Sequence, residues 1–221
     1  MSRIFRRKTA FFSTAALAAL SLGVAQARPS VTSQPWGTTP DGKAVKIVTL
    51  KNDHGLVTRV ITYGGIIQSV ETPDRDGHLQ DVVLGFGKLD GYTVDSAQGG
   101  LFFGAIIGRY ANRLAAGNFP VDGKTYHTDV TAPPNALHGG KRGFDKNVWT
   151  LEKTGTNSGG AFVTLKLVSP NGDQGFPGTL TTHVTYTLGN DDALSLHYVA
   201  TTDAPTVLNL TNHSYWNLNG E

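Results

Sequence analysis

The sequence predicts an all-β protein, a sandwich or barrel, on three observations. Apolar residues recur with a period of two through many short runs. Gly, Asn, Asp and Pro clusters separate those runs. No segment keeps helical periodicity over three turns. The composition agrees, with 27 glycines, 10 prolines, 39% hydrophobic and 16% charged residues in 221 positions. That balance describes a loop-rich, folded chain rather than a helical or disordered one.

The elements are expected in the following order. Residues 28–43 are rich in Pro, Thr and Gly and read as a loose lead-in. Residues 44–221 then form one domain. Strands at 45–50 and 56–63 are joined through Asn52-Asp53-His54-Gly55, and strands at 66–71 and 81–86 by Pro73-Asp74-Arg75-Asp76-Gly77. Residues 87–97 contain the one short helix. Residues 119–121 and 124–127 flank Asp122-Gly123, a two-residue hairpin turn. Residues 148–153 and 162–168 pair across a loop at 155–160. The cleanest alternation sets Leu180, Thr182, Val184, Tyr186 and Leu188 on one face and Thr181, His183, Thr185 and Thr187 on the other. Asn190-Asp191-Asp192 turns the chain into Leu194, Leu196, Tyr198 and Ala200.

Residues 1–27 are expected to be removed. Arg3, Arg6, Arg7 and Lys8 precede an apolar stretch of about 16 residues, short of the roughly 20 that a span requires. Ala25-Gln26-Ala27 is a small-x-small cleavage site, so Arg28 begins the mature chain. The protein is therefore expected in the periplasm or outside the cell, with no membrane contact after cleavage. Arg6-Arg7 leaves the choice between the general and twin-arginine routes open. Cleavage moves the net charge from +2 to −2, because the leader holds four cations and no anion. The basicity belongs to the leader, and nucleic-acid binding has no electrostatic support. With no cysteine, disulfides, zinc-thiolate sites and thiol nucleophiles are excluded.

Three polar, Gly-rich segments interrupt the strands. Gly104-Ala105-Ile106-Ile107-Gly108-Arg109-Tyr110-Ala111-Asn112-Arg113-Leu114 sets two arginines four apart around an asparagine. A guanidinium fork and an amide can each bond two vicinal hydroxyls. Asn135-Ala136-Leu137-His138-Gly139-Gly140-Lys141-Arg142-Gly143-Phe144-Asp145 puts a histidine before a double glycine, where a ligand or another chain segment can approach closely. Asn209-Leu210-Thr211-Asn212-His213-Ser214-Tyr215-Trp216-Asn217-Leu218 places a histidine among amides, hydroxyls and aromatics, a mix suited to a polyhydroxylated ligand.

Other features carry less. His183 and His197 sit on neighbouring strands without a third metal ligand, so no metal site is expected. Gly85-Phe86-Gly87-Lys88-Leu89-Asp90-Gly91 misses the dinucleotide fingerprint by one residue and lacks its βαβ context. His54, His78, His127, His183 and His197 read as structural or solvated.

In this order the three segments resemble those of the aldose 1-epimerase (galactose mutarotase) family. Gly143-Phe144-Asp145-Lys146 and Asp173-Gln174-Gly175-Phe176-Pro177-Gly178 fit the same pattern. The resemblance runs from about residue 43 to the end. It implies a large antiparallel β-sandwich with a monosaccharide cleft across one sheet. It also implies interconversion of the α and β anomers of free aldoses such as galactose and glucose, without cofactor or metal.

Mutarotation needs a base for the anomeric hydroxyl and an acid for the ring oxygen, and histidine titrates in the right range for repeated proton exchange. By resemblance His213 is the acid, and His138 is a hydrogen-bonding partner that helps polarise the ring oxygen. Asn112 and Arg113 bind substrate hydroxyls, while Arg109 has no assigned sugar contact. The family's base is a glutamate far toward the C-terminus, preceded by a substrate-binding aspartate, and both are expected beyond residue 221. Glu221 follows the third segment too soon to be that base. The chain is accordingly read as a C-terminally truncated sandwich with unpaired strand edges and marginal stability. The alternative reading is a carbohydrate-binding remnant without catalysis. An epimerase for phosphorylated hexoses is disfavoured, because sugar phosphates are cytoplasmic.

Overall fold

A computed structural model describes residues 28–95 and 100–220. The expected leader, residues 96 and 97 of the expected helix, and Glu221 lie outside the described residues. Among the described residues fifteen strands fall into two main antiparallel sheets and three short ladders. The first sheet runs in sequence order through β1 (Ser30–Thr38), β2 (Ala44–Lys51), β3 (Val57–Ile61), β4 (Ile66–Pro73) and β5 (Leu79–Asp81). Between the sheets in sequence come β6 (Ile106–Ile107), β7 (Arg113–Ala115), β8 (Asn118–Val121), β9 (Lys124–His127) and β10 (Asn135–Leu137). The second sheet is β11 (Thr150–Asn157), β12 (Gly160–Ser169), β13 (Leu180–Gly189) and β14 (Leu194–Thr202), and β15 (Thr211–Asn212) closes the order.

Period-two burial explains how the sheets meet. Along β13 the even-numbered residues from Leu180 to Leu188 are buried, and Val184 and Tyr186 are fully enclosed. Val163 and Leu165 of β12 face the same way and pack with Val48 and Leu50 of β2. This is the interior of a sandwich. At burial free energies of roughly 1.5–3 kcal/mol per large aliphatic side chain, that layer dominates the stability of the fold. The Tyr186 hydroxyl donates to the Gly65 carbonyl, which satisfies a polar group inside the core. Asn52, also fully enclosed, donates to the Gly189 carbonyl at 2.9 Å and to Asp192 Oδ1 at 2.7 Å. It thereby ties a turn of one sheet to a turn of the other.

Three expectations change. Residues 28–43 are not a loose lead-in: β1 pairs with β2 from Ser30↔Lys51 to Thr38↔Ala44, with a register shift between Pro35 and Gly37. β1 is an edge strand and mostly exposed, so it shows no apolar alternation, and an edge tolerates Pro35. The loop expected at 155–160 shrinks to Ser158-Gly159, because Gly155 continues β11 opposite Phe162. A side chain at Gly155 would lie 2.9 Å from the Phe162 ring, so the glycine makes room for an aromatic. The strand expected at 81–86 ends as β5 at Asp81; Val83 then bridges to Trp216, and Leu84 N–H donates to the Tyr215 carbonyl at 2.9 Å. In the described part of 87–97 the helical residues are 89–95, which end in the turn Gly91–Asp95.

Candidate active site

Two short ladders gather the three Gly-rich segments. β6 carries Ile106 and Ile107, both buried, and pairs with β15 through Ile107↔Thr211 and Ile106↔Asn212. The His213 N–H donates to the Ala105 carbonyl at 2.9 Å, and the Gly104 N–H donates to the His213 carbonyl at 3.1 Å. Asn212 Nδ2 adds a bond to the Gly104 carbonyl at 2.8 Å, and its Oδ1 accepts from the Ser214 N–H at 3.0 Å. The second ladder pairs β7 with β10 through Arg113↔Leu137, so that Asn112 and His138 leave it side by side.

The double glycine has a steric reason. Gly139 has a φ of 85°, and a Cβ there would lie 2.0 Å from the Gly108 carbonyl oxygen. The close approach read from the sequence is thus made by another chain segment. Arg109, next in line, is buried rather than presented to the cleft. Its guanidinium donates to the carbonyls of Ser169, Pro170, Pro177 and Gly178 at 2.8–3.0 Å, and to Ser169 Oγ. It clamps the first segment to the Asp173–Gly178 turn, in keeping with the absence of an assigned sugar contact.

All four sequence-predicted site residues line one open cleft of about 660 Å³: Asn112, Arg113, His138 and His213. The two imidazoles lie edge to face with ring centroids 5.2 Å apart. His138 Nδ1 accepts the Asn112 backbone N–H at 3.0 Å, so in the neutral ring the proton is on Nε2. Burial, reinforced by the nearby charges of His213, Arg113 and Lys146, lowers the pKa of His138 to about 4. At neutral pH it is therefore an uncharged donor. Arg113 Nη1 donates to Asn112 Oδ1 at 3.0 Å, which ties two exposed groups of the cleft lining together. The cleft lining contains no Asp or Glu among the described residues.

Sequence reasoning missed Phe102. Its ring centroid lies 4.8 Å from His138 and 5.7 Å from His213. It precedes the first segment by two residues and reads as part of an apolar run, and nothing in its neighbours marks it. Lys146, noted only as part of a pattern, has its Nζ 5.2 Å from the centroid of that ring and 2.7 Å from Asp145 Oδ2.

The remaining histidines lie elsewhere. His54 pairs with Asp192 at 3.1 Å, His78 with Asp74 at 3.6 Å and His183 with Glu152 at 3.3 Å. His127 bonds Asn118, and His197 stands opposite Thr185. Among the described residues no group of three or more His, Cys, Asp or Glu could hold a metal ion, and no helix is long and apolar enough to cross a membrane.

The chain is an antiparallel sandwich with a polar, histidine-lined cleft, and comparison with known proteins gives its family. The aldose 1-epimerase family profile matches residues 46–221. Galactose mutarotase of Rattus norvegicus is 44% identical over 193 residues, which is 87% of this chain and 53% of that protein. Aldose 1-epimerase of Escherichia coli K12 is 40% identical over 182 residues, covering 82% and 50%. The crystal structure of galactose 1-epimerase from Lactobacillus acidophilus superposes with a TM-score of 0.74 at 28% identity, covering 86% of this chain and 54% of that one. The chain belongs to the aldose 1-epimerase family and has the galactose mutarotase fold. It spans about half the length of the relatives it matches.

Proposed function

We propose that this chain takes part in the interconversion of the α and β anomers of free hexoses, galactose and glucose among them. His213 protonates the ring oxygen as the bond to the anomeric carbon breaks, and takes the proton back when the aldehyde recloses on its other face. His138 donates Nε2–H to the same oxygen as a neutral group, while Asn112 and Arg113 hold the hydroxyls. The observation that carries this reading is a pair of imidazoles at 5.2 Å, one of them fixed as a neutral donor by the Asn112 backbone. The family resemblance assigns the base that removes the anomeric proton to a glutamate other than the residues that line this cleft. The leader-like residues 1–27 support export of the protein before it meets its sugar.

The cleft lining without a carboxylate favours one second reading, carbohydrate binding without turnover. Polarimetry of freshly dissolved α-D-galactose separates the two, with His213→Ala as control. Acceleration that disappears in the control is expected of the enzyme. Galactose binding by calorimetry with no acceleration would replace it with the binding reading, and neither binding nor acceleration would sink both.

A further inference from the structure

We propose that Phe102 is a positioning residue for the histidine pair: its ring holds His138 and His213 in their mutual orientation and shields His138 from water. The inference rests on the reading of those histidines as donor and acid. Three ring centroids form a triangle, with Phe102–His138 at 4.8 Å, Phe102–His213 at 5.7 Å and His138–His213 at 5.2 Å. Phe102 is the one member that cannot exchange a proton. It does not line the 660 Å³ cleft; it lines a separate cavity of about 20 Å³ with Tyr63, Asp145 and Lys146. It therefore supports the imidazoles from behind rather than forming a platform for the sugar face.

The backbone and the neighbours both commit to this placement. Phe102 has a φ of 53°, uncommon for a residue with a side chain, and its carbonyl accepts the Ala105 N–H at 3.2 Å. Uncommon backbone conformations of this kind persist where the surroundings over-determine them. Lys146 stands over the ring with Nζ 5.2 Å from its centroid, and the buried Asp145 anchors that ammonium at 2.7 Å. The charged or titratable groups that face the pair are thus Arg113 from β7, Lys146 and Asp145 beyond the double glycine, and Tyr215, whose ring is 5.1 Å from His213. Burial is the largest influence on His138, and Phe102 is an apolar ring in direct contact with it.

The test is a histidine-selective NMR titration of the full chain. Phe102→Leu keeps a Cβ at the strained position but removes the ring. It is expected to raise the His138 midpoint by about one unit toward its ordinary value, and Phe102→Tyr is expected to leave it in place. Where turnover is measurable, Phe102→Leu lowers kcat roughly ten- to a hundredfold with little change in KM. An unchanged His138 midpoint in folded Phe102→Leu would overturn the proposal. If that variant does not fold, the wild-type protein decides: nuclear Overhauser contacts from the Phe102 ring to both imidazoles uphold the triangle, and their absence overturns it. Because these readouts need no sugar, loss of the functional reading and loss of this proposal are told apart.

Discussion

Asn112 and His138 exchange two hydrogen bonds at 3.0 Å: the Asn112 N–H donates to His138 Nδ1, and the His138 N–H donates to the Asn112 carbonyl. Both residues have positive φ, 63° and 53°. A backbone group, not a side chain, therefore selects the tautomer of the cleft histidine. Substitutions of the Asn112 side chain leave this selection intact, and the role of the amide can be read separately from it.

The two histidines should respond differently to glutamine. His138 acts as a neutral donor, which the amide of His138→Gln can imitate, so about a tenfold loss of mutarotation is expected there. In the proposed mechanism His213 gives and retakes a proton, so His213→Gln should lose roughly 10²–10⁴-fold. Polarimetry of both variants at neutral pH checks the contrast, and equal losses would contradict the division of roles.

Stability should fall on acidification through His138. Its folded pKa of about 4 lies below the 6.5 of an unperturbed histidine, so the unfolded chain takes up the proton first. The contribution is complete above pH 6.5 and is lost as the pH drops toward 4. For a half-buried ring its size is on the order of 2 kcal/mol. Urea midpoints at neutral and mildly acid pH, compared between wild type and His138→Gln, isolate it: the variant should lose less stability on acidification.

Arg109→Met should be among the most damaging single changes. It keeps the aliphatic stem but takes the guanidinium donor from the buried carbonyls of Ser169, Pro177 and Gly178, while the Pro170 carbonyl keeps the Asp173 N–H at 3.0 Å. Each buried acceptor left alone costs about 1–3 kcal/mol, so a total above about 3 kcal/mol is expected. Calorimetry should show Tm falling by roughly 10 °C. Arg109→Lys should recover little, because one ammonium cannot span the same set of acceptors.

Gly139→Ala tests the crossing of the first two segments. A methyl group 2.0 Å from the Gly108 carbonyl oxygen forces the segments apart, and the residue must also hold a φ of 85°. Loss of galactose binding is expected together with lowered stability. Gly77→Ala serves as the comparison, since that glycine has a positive φ but no atom within 4 Å of the added methyl. It should cost only about 1 kcal/mol and leave binding unchanged.

Much of this was legible because the relevant signals are local. The alternation from Leu180 to Leu188 names the buried face of β13 directly, and Asp122-Gly123 marks the β8–β9 hairpin. The double glycine announces a close approach, though not by which segment. β1 escaped because an exposed edge strand needs no apolar pattern, and 81–86 was misread because Val83 and Leu84 answer to a partner near residue 216. Phe102 stayed hidden for a related reason. Its role depends on two rings brought in from distant segments, and its own flanking sequence is that of an ordinary apolar run.

The ladders that build the cleft have a consequence for how the protein comes into being. The bond from Asn212 to the Gly104 carbonyl joins residues 108 positions apart, and the Asn112–His138 pair is useful only once that bond has set His213 beside it. Closing so long a loop precedes the reward from its contacts, and such pairings form slowly. During synthesis the polypeptide would carry Gly104 through the whole emergence of β7 to β14 before β15 arrives to meet it. Among the described residues the cleft is therefore completed only when β15 reaches Gly104, after the strands that form the hydrophobic interior have been made.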